Sequence, residues 1–195
     1  MPHSDLHLNV NALEQLLKKN IDAFAAVNPS AKVILRGLSL VGIGFRPVLD
    51  HLLFRTTRPS ERVREFTELG YSGDPSARVM DGCGNPVSVY RCRCLPAILI
   101  EEARGKDSRE WVRLFGDSSP YMLGMKVDSL EEAAFYLEKQ AVRFLRPEAG
   151  KPGEEVRAIA ALPVFRDGAA VNVLVLVERH AGNTNYYGPD FWSKA

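Results

Sequence analysis

Leu49-Asp50-His51-Leu52-Leu53-Phe54-Arg55-Thr56 holds the residues of this chain best suited to chemistry. In a strand side chains alternate, so His51, Leu53 and Arg55 share one face and Asp50, Leu52 and Phe54 the other. One face thus offers an imidazole able to ligate a metal and a guanidinium able to grip a carboxylate through paired hydrogen bonds. Taken alone, the stretch reads more plainly as an edge strand with a satisfied histidine and a solvated arginine. Further candidates end later strands: Glu101 and Glu102 close Ala97-Ile98-Leu99-Ile100, and Glu178 closes Leu174-Val175-Leu176-Val177. Glu101 and Glu102 point oppositely in a strand, so only one of them faces any shared site.

The elements that must position these groups follow from periodicity. Leu13, Leu16, Leu17, Ile21, Phe24 and Val27 recur at helical steps, Asn28-Pro29 interrupts, and Ala31 to Leu38 predicts a second short helix. Gly42 and Gly44 mark a loop and lack the strand and third glycine of a dinucleotide site. A strand over Val48 to Thr56 is followed by a helix from Pro59 that Gly70 ends. Strands are expected over 77–80, 87–94 and 97–102, with a connecting helix from Asp107 to Phe115. The order then recurs: a strand at 121–127, a capping box Ser129-Leu130-Glu131-Glu132 opening a helix, and strands over 142–145, 156–165 and 171–178. Laying His51 over Met122, Arg55 over Lys126 and Ile98-Glu102 over Leu174-Glu178 gives a repeat of about 70 residues between two β-α-β-β-β modules. The expected fold class is α+β: paired βαβββ modules forming a cupped mixed sheet, preceded by an N-terminal helical segment. The expected divisions are a helical segment (1–47), a first module (48–104), a connecting helix (105–119), a second module (120–180) and a tail (181–195), forming one compact domain.

Composition narrows the function classes. The 195 residues carry 25 basic and 24 acidic side chains, a net charge of +1, which gives no electrostatic case for nucleic acid or an acidic membrane surface. The hydrophobic share of 46% is ample for a core, and no apolar run approaches a membrane span. Cys83, Cys92 and Cys94 are too few for a disulfide framework and form no C-x-x-C, and Met1 to Asn11 lacks an apolar signal core. The expected setting is cytoplasmic, with free thiols; Cys92 and Cys94 leave a minor thiol-based reading open.

The paired modules resemble the vicinal oxygen chelate superfamily of glyoxalases, epimerases and extradiol dioxygenases, whose metal ligands come from the first and fourth strands of each module. The N-terminal half is similar to the 2-oxoadipate dioxygenase/decarboxylase family in Asn28-Pro29-Ser30-Ala31, Asp50-His51 with Phe54-Arg55-Thr56, Gly70-Tyr71, and Leu95-Pro96-Ala97-Ile98-Leu99-Ile100-Glu101-Glu102. This resemblance spans about residues 13 to 103 and makes His51 and Glu178 metal ligands and Arg55 the binder of a substrate carboxylate. The family's second histidine would stand where this chain has Met122, a soft thioether. His180 shares the parity of Glu178 and is a weaker candidate ligand.

Two readings follow. One is a metal-dependent enzyme (Fe, Mn, Ni or Zn) acting on a small oxo or hydroxy acid, dioxygenase-like or isomerase/lyase-like, with Glu102 as ligand or base. The other is a non-catalytic small-molecule-binding or dimerising member that has lost its metal site, motivated by Met122. The expected partner is a small-molecule carboxylate. The aromatic tail from Tyr186 to Trp192 is expected to close the cup as a lid or to dock on the core or on a second subunit, which leaves a homodimer open.

Overall fold

The computed structural model describes residues 10–40, 48–80, 84–93 and 95–188. Two helices lead, α1 (Val10–Val27) and α2 (Pro29–Leu40). They break at Asn28, whose side-chain oxygen accepts from the Ala31 N–H at 2.9 Å and so caps α2, while its amide donates to Asn172 at 2.9 Å. Leu13, Leu17, Ile21 and Phe24 form the buried stripe of α1.

The first module follows as β1 (Leu49–Thr56), α3 (Pro59–Thr67), β2 (Ser72–Gly73), β3 (Val79–Met80), β4 (Val87–Arg91) and β5 (Ala97–Glu102). Gly70, with φ of 94°, takes the left-handed turn after α3 that a side chain would strain. Next come α4 (Lys106–Phe115), β6 (Met122–Val127), α5 (Leu130–Glu138), β7 (Val156–Ala160), the small hairpin β8 (Phe165–Arg166) and β9 (Ala169–Ala170), β10 (Val173–Arg179) and β11 (Tyr186–Tyr187).

Seven strands form one mixed sheet in the order β2-β4-β5-β1-β6-β10-β7. β1 runs parallel to β5 and β6 parallel to β10, while β1 and β6 meet antiparallel at the junction of the modules. β1 is therefore a central strand, buried on both faces, and not the edge strand its residues suggested in isolation.

The registers carry the internal repeat. His51 pairs with Ala97 and Thr56 with Glu102 in the first module; Met122 pairs with Val173 and Val127 with Glu178 in the second. Between modules Leu52 faces Leu123, and the flanking pairs His51–Gly124 and Leu53–Met122 exchange under a local two-fold. Met122 thus holds the place of His51, and Val177 the place of Glu101.

The sheet divides the core. One face packs Leu52, Phe54, Ile98, Ile100, Leu123 and Leu174 against α1, α3 and α5. The other, the cup face, carries Leu53, Leu99, Met122, Val173, Val175 and Val177 under Trp111, Tyr121 and Tyr186. The strand expected over 142–145 shrinks to a bridge from Phe144 to Ala161, and that over 156–165 ends at Ala160, before Pro163, which cannot donate to a ladder. β3 does not join the main sheet; it pairs instead with β11 of the tail. The glycines at 42 and 44, Cys83, Cys94 and the tail beyond Gly188 lie outside the described residues. Among the described residues no helix is long and apolar enough to cross a membrane.

Candidate functional site

The site begins at a bulge. β1 pairs Leu49 with Met125 but His51 with Gly124, so Asp50 is an extra residue. A bulge re-aims side chains that strict alternation would separate. The Asp50 carboxylate reaches the neighbouring His51 Nδ1 at 2.7 Å, although plain alternation puts the two on opposite faces. Arg179, from the end of β10, donates from Nε and Nη2 to the two Asp50 oxygens at 2.6 and 2.9 Å. Burial pushes the Asp50 carboxyl up, but the hydrogen bonds from Arg179 and His51 outweigh it and hold the group well below the usual carboxylate range.

His51 is 3% exposed, and its Nε2 is buried without a hydrogen-bond partner among the described residues. With Asp50 ionised, Nδ1 is the donor towards it, and Nε2 is the ring nitrogen on the far side from the carboxylate. A small space of about 10 Å³ is lined by His51, Met122, Val175, Val177, Ala158 and the two tail tyrosines together with Arg179. Tyr186 lies edge-on to the imidazole with ring centroids 5.1 Å apart. The tail is strapped down from several sides: Tyr186 N–H donates to the Arg78 carbonyl at 2.8 Å, Arg179 Nη1 donates to the Asn185 carbonyl at 2.6 Å, and Arg91 Nη2 donates to the Thr184 carbonyl at 3.1 Å. The guanidinium groups of Arg179 and Arg91 lie 4.6 and 5.4 Å from the Tyr186 ring centre.

Further along the same face, Arg55 Nε donates to Glu101 at 2.9 Å, and the guanidinium carbon stacks 3.9 Å from the centre of the Tyr121 ring. Glu101 is fully buried and also accepts from the Asn85 amide at 2.8 Å. Arg55, Trp111, Tyr121, Leu145, Phe165 and Asp107 help line a cavity of about 320 Å³.

The residues proposed from sequence separate into two groups. His51 and Arg55 lie on the cup face together. Glu178 lies on the helix face, because Val173, Val175 and Val177 occupy the cup side of β10. Its carboxylate accepts the Leu130 N–H at 2.7 Å, at the start of α5, and the His180 Nε2 sits 2.6 Å from its other oxygen. Burial raises the Glu178 carboxyl, and those hydrogen bonds with Arg157 nearby lower it below its usual range. Glu178 and His180 therefore anchor a helix and do not meet His51. Glu102, directly equivalent, faces the same way and pairs with exposed Arg104 at 2.7 Å. The carboxylate that turns into the cup is Glu101. Lys126 is exposed at a strand end, and Cys92 is buried against the helices.

Among the described residues no three His, Cys, Asp or Glu side chains converge as a metal site. The donors around His51 Nε2 do not fit a hard divalent ion, which needs oxygen or further nitrogen ligands where this cup supplies a thioether and valines. Two determinants escaped sequence reasoning. Gly124 faces His51, and a Cβ there would overlap the imidazole; a glycine inside a strand does signal such a close approach. Arg179 had no sequence signal tying it to Asp50.

No family model matches the chain, and no curated protein matches it. Solved structures do. A protein of Ralstonia eutropha JMP134 described as of the glyoxalase superfamily superposes with a TM-score of 0.66 at 10% identity, over 85% of this chain and 82% of that one. A protein of Shewanella frigidimarina NCIMB 400 described as a hydrolase gives 0.68 at 15% identity, over 89% and 94%. A variant of Streptomyces coelicolor methylmalonyl-CoA epimerase in complex with 2-nitronate-propionyl-CoA gives 0.51 at 12% identity, over 70% and 96%. The chain has the glyoxalase, or vicinal oxygen chelate, fold. At these identities the likeness extends to the fold alone.

Proposed function

We propose that this chain is a glyoxalase-fold protein that has lost the divalent-metal chemistry of the cup and binds a small organic acid in the cavity beside Arg55. The observation that carries the reading is the surroundings of His51 Nε2. Met122 stands at the place of a second histidine, Val177 at the place of Glu101, and Tyr186 closes the cup. The volume beside Arg55, about 320 Å³, lies at the small end of ligand pockets. Its aromatic walls suit an apolar body, and Arg55, fixed by Glu101 and Tyr121, supplies the cation for a carboxylate, the role the 2-oxoadipate dioxygenase resemblance assigns to it.

The purified full chain tests this with 2-oxoadipate as probe, in the presence of Fe(II) and separately of Mn(II) or Zn(II). The expected result is a saturable change in tryptophan fluorescence, reduced in Arg55→Lys, with no oxygen uptake and no stoichiometric divalent metal. Oxygen consumption that His51→Ala abolishes would overturn the proposal. It would favour the second reading, a metal-dependent enzyme of an oxo or hydroxy acid, which the Asp50-oriented imidazole with its unpaired Nε2 supports.

A further inference from the structure

We propose that the organic acid held beside Arg55 also carries an ammonium group, which Asp107 receives, so that the ligand is an amino acid. The inference rests on the organic-acid reading and narrows it to one class of acid.

Arg55 and Asp107 are the only charged side chains that line the cavity of about 320 Å³ among the described residues. They come from different elements, β1 and the first turn of α4. Asp107 and Trp111 are four residues apart and so share one face of α4. The Trp111 ring in turn meets the Arg55 guanidinium, whose carbon lies 5.6 Å from the ring centre. A ligand lying along the indole therefore runs from the guanidinium towards the Asp107 carboxylate, one helical turn away.

The balance of charge decides what such a ligand carries. Arg55 is already neutralised by fully buried Glu101, which accepts from its Nε at 2.9 Å. Asp107 is exposed and makes no hydrogen bond or ion pair among the described residues. The cavity thus sets one cation against two carboxylates, and a plain acid would add further negative charge. An acid that brings its own ammonium offsets that charge and gives Asp107 a partner.

The walls favour the same group. Trp111 and Tyr121 meet edge to face with ring centroids 5.0 Å apart, and Phe165 adds a third ring to the lining. Aromatic faces attract cations, and Tyr121 already holds the Arg55 guanidinium at 3.9 Å. The Trp111 indole N–H is committed to the Ala170 carbonyl at 2.8 Å, so Trp111 offers a ligand its ring and no donor for an anion.

Calorimetric titration of the full chain at neutral pH tests this with two matched pairs: 2-aminoadipate against 2-oxoadipate, and 6-aminohexanoate against hexanoate. In at least one pair the amine should bind tighter by about threefold or more, the size of a partly exposed ion pair. Asp107→Asn should erase that preference and leave the affinity for the amine-free acid unchanged or improved, which also shows the cavity intact. If the amine-free acids bind and neither amine is preferred, the ammonium site is overturned and the organic-acid reading stands. A preference that survives in Asp107→Asn, or an equal loss for both members of a pair, overturns it as well. If none of the four compounds binds, both readings fail together.

Discussion

Gly124 lies directly across the module junction from His51, and the imidazole occupies the space where any other residue would place its Cβ. The ring cannot swing aside, because Asp50 holds Nδ1 and Tyr186 lies over it. Gly124→Ala should therefore destabilise the protein by ~1–3 kcal/mol, the range for overpacking a close-packed core. Thermal melts should show a fall of several degrees. In Gly124→Ala/His51→Ala the clash is gone, so the double variant should be more stable than the sum of the single effects. Simple additivity would mean that His51 does not constrain position 124.

Asp50 links the two modules, since its oxygens bind Arg179 of β10 while it sits on β1. Asp50→Asn leaves the arginine buried without its counter-charge and should cost ~3–5 kcal/mol. The acid limb should change as well. A carboxyl depressed in the folded state contributes stability above its unfolded value, here 3.8, and loses it as the pH falls through the folded value. Urea denaturation between pH 7 and pH 2 should therefore show stability draining below about pH 4 in the wild type and a flatter acid limb in Asp50→Asn.

Glu178 should behave as a helix anchor. In Glu178→Gln the charge facing the Leu130 N–H at the start of α5 is lost, at a cost of ~1–2 kcal/mol. Amide exchange should quicken in the first turn of α5, while 2-oxoadipate affinity stays unchanged. A large effect on ligand or metal binding with α5 undisturbed would return Glu178 to the site.

Tyr186 should control access to His51. Treatment with diethyl pyrocarbonate, followed by peptide mass analysis, should modify half-exposed His180 in the wild type and spare His51. In Tyr186→Ala the His51 peptide should become reactive by tenfold or more. Protection that persists in this variant would show that something other than the strap shields the ring.

Much of this arrangement was legible from residue order. Helical spacing outlined α1, α4 and α5, Asn28-Pro29 placed the first break, and the overlay of His51 on Met122 and of Glu102 on Glu178 is the one the strand registers display. Alternation correctly placed His51 with Arg55. Residue order places a strand at 77–80 in the module, yet Val79–Met80 pairs with the tail and Ser72–Gly73 supplies the sheet edge. Two-residue strands carry too little pattern to reveal such a choice.

The choice between Glu101 and Glu102, and the face of Glu178, needed the tertiary structure. β5 and β10 are apolar on both faces, as strands buried between two layers are, so neither has a polar side to tell which residues look into the cup. Only pairing fixes it: Arg55 opposite Glu101 puts that carboxylate in the cup, and Val177 at the equivalent place empties the second half of acid. The sequence by itself determined the paired modules, the His51–Arg55 face and the overlay of Met122 on His51, because these are matters of periodicity and residue type. The closure of the cup over an unpaired nitrogen was decided by a bulge at Asp50, an arginine 129 residues away and a two-residue strap. Those contacts join distant segments whose meeting no local pattern encodes.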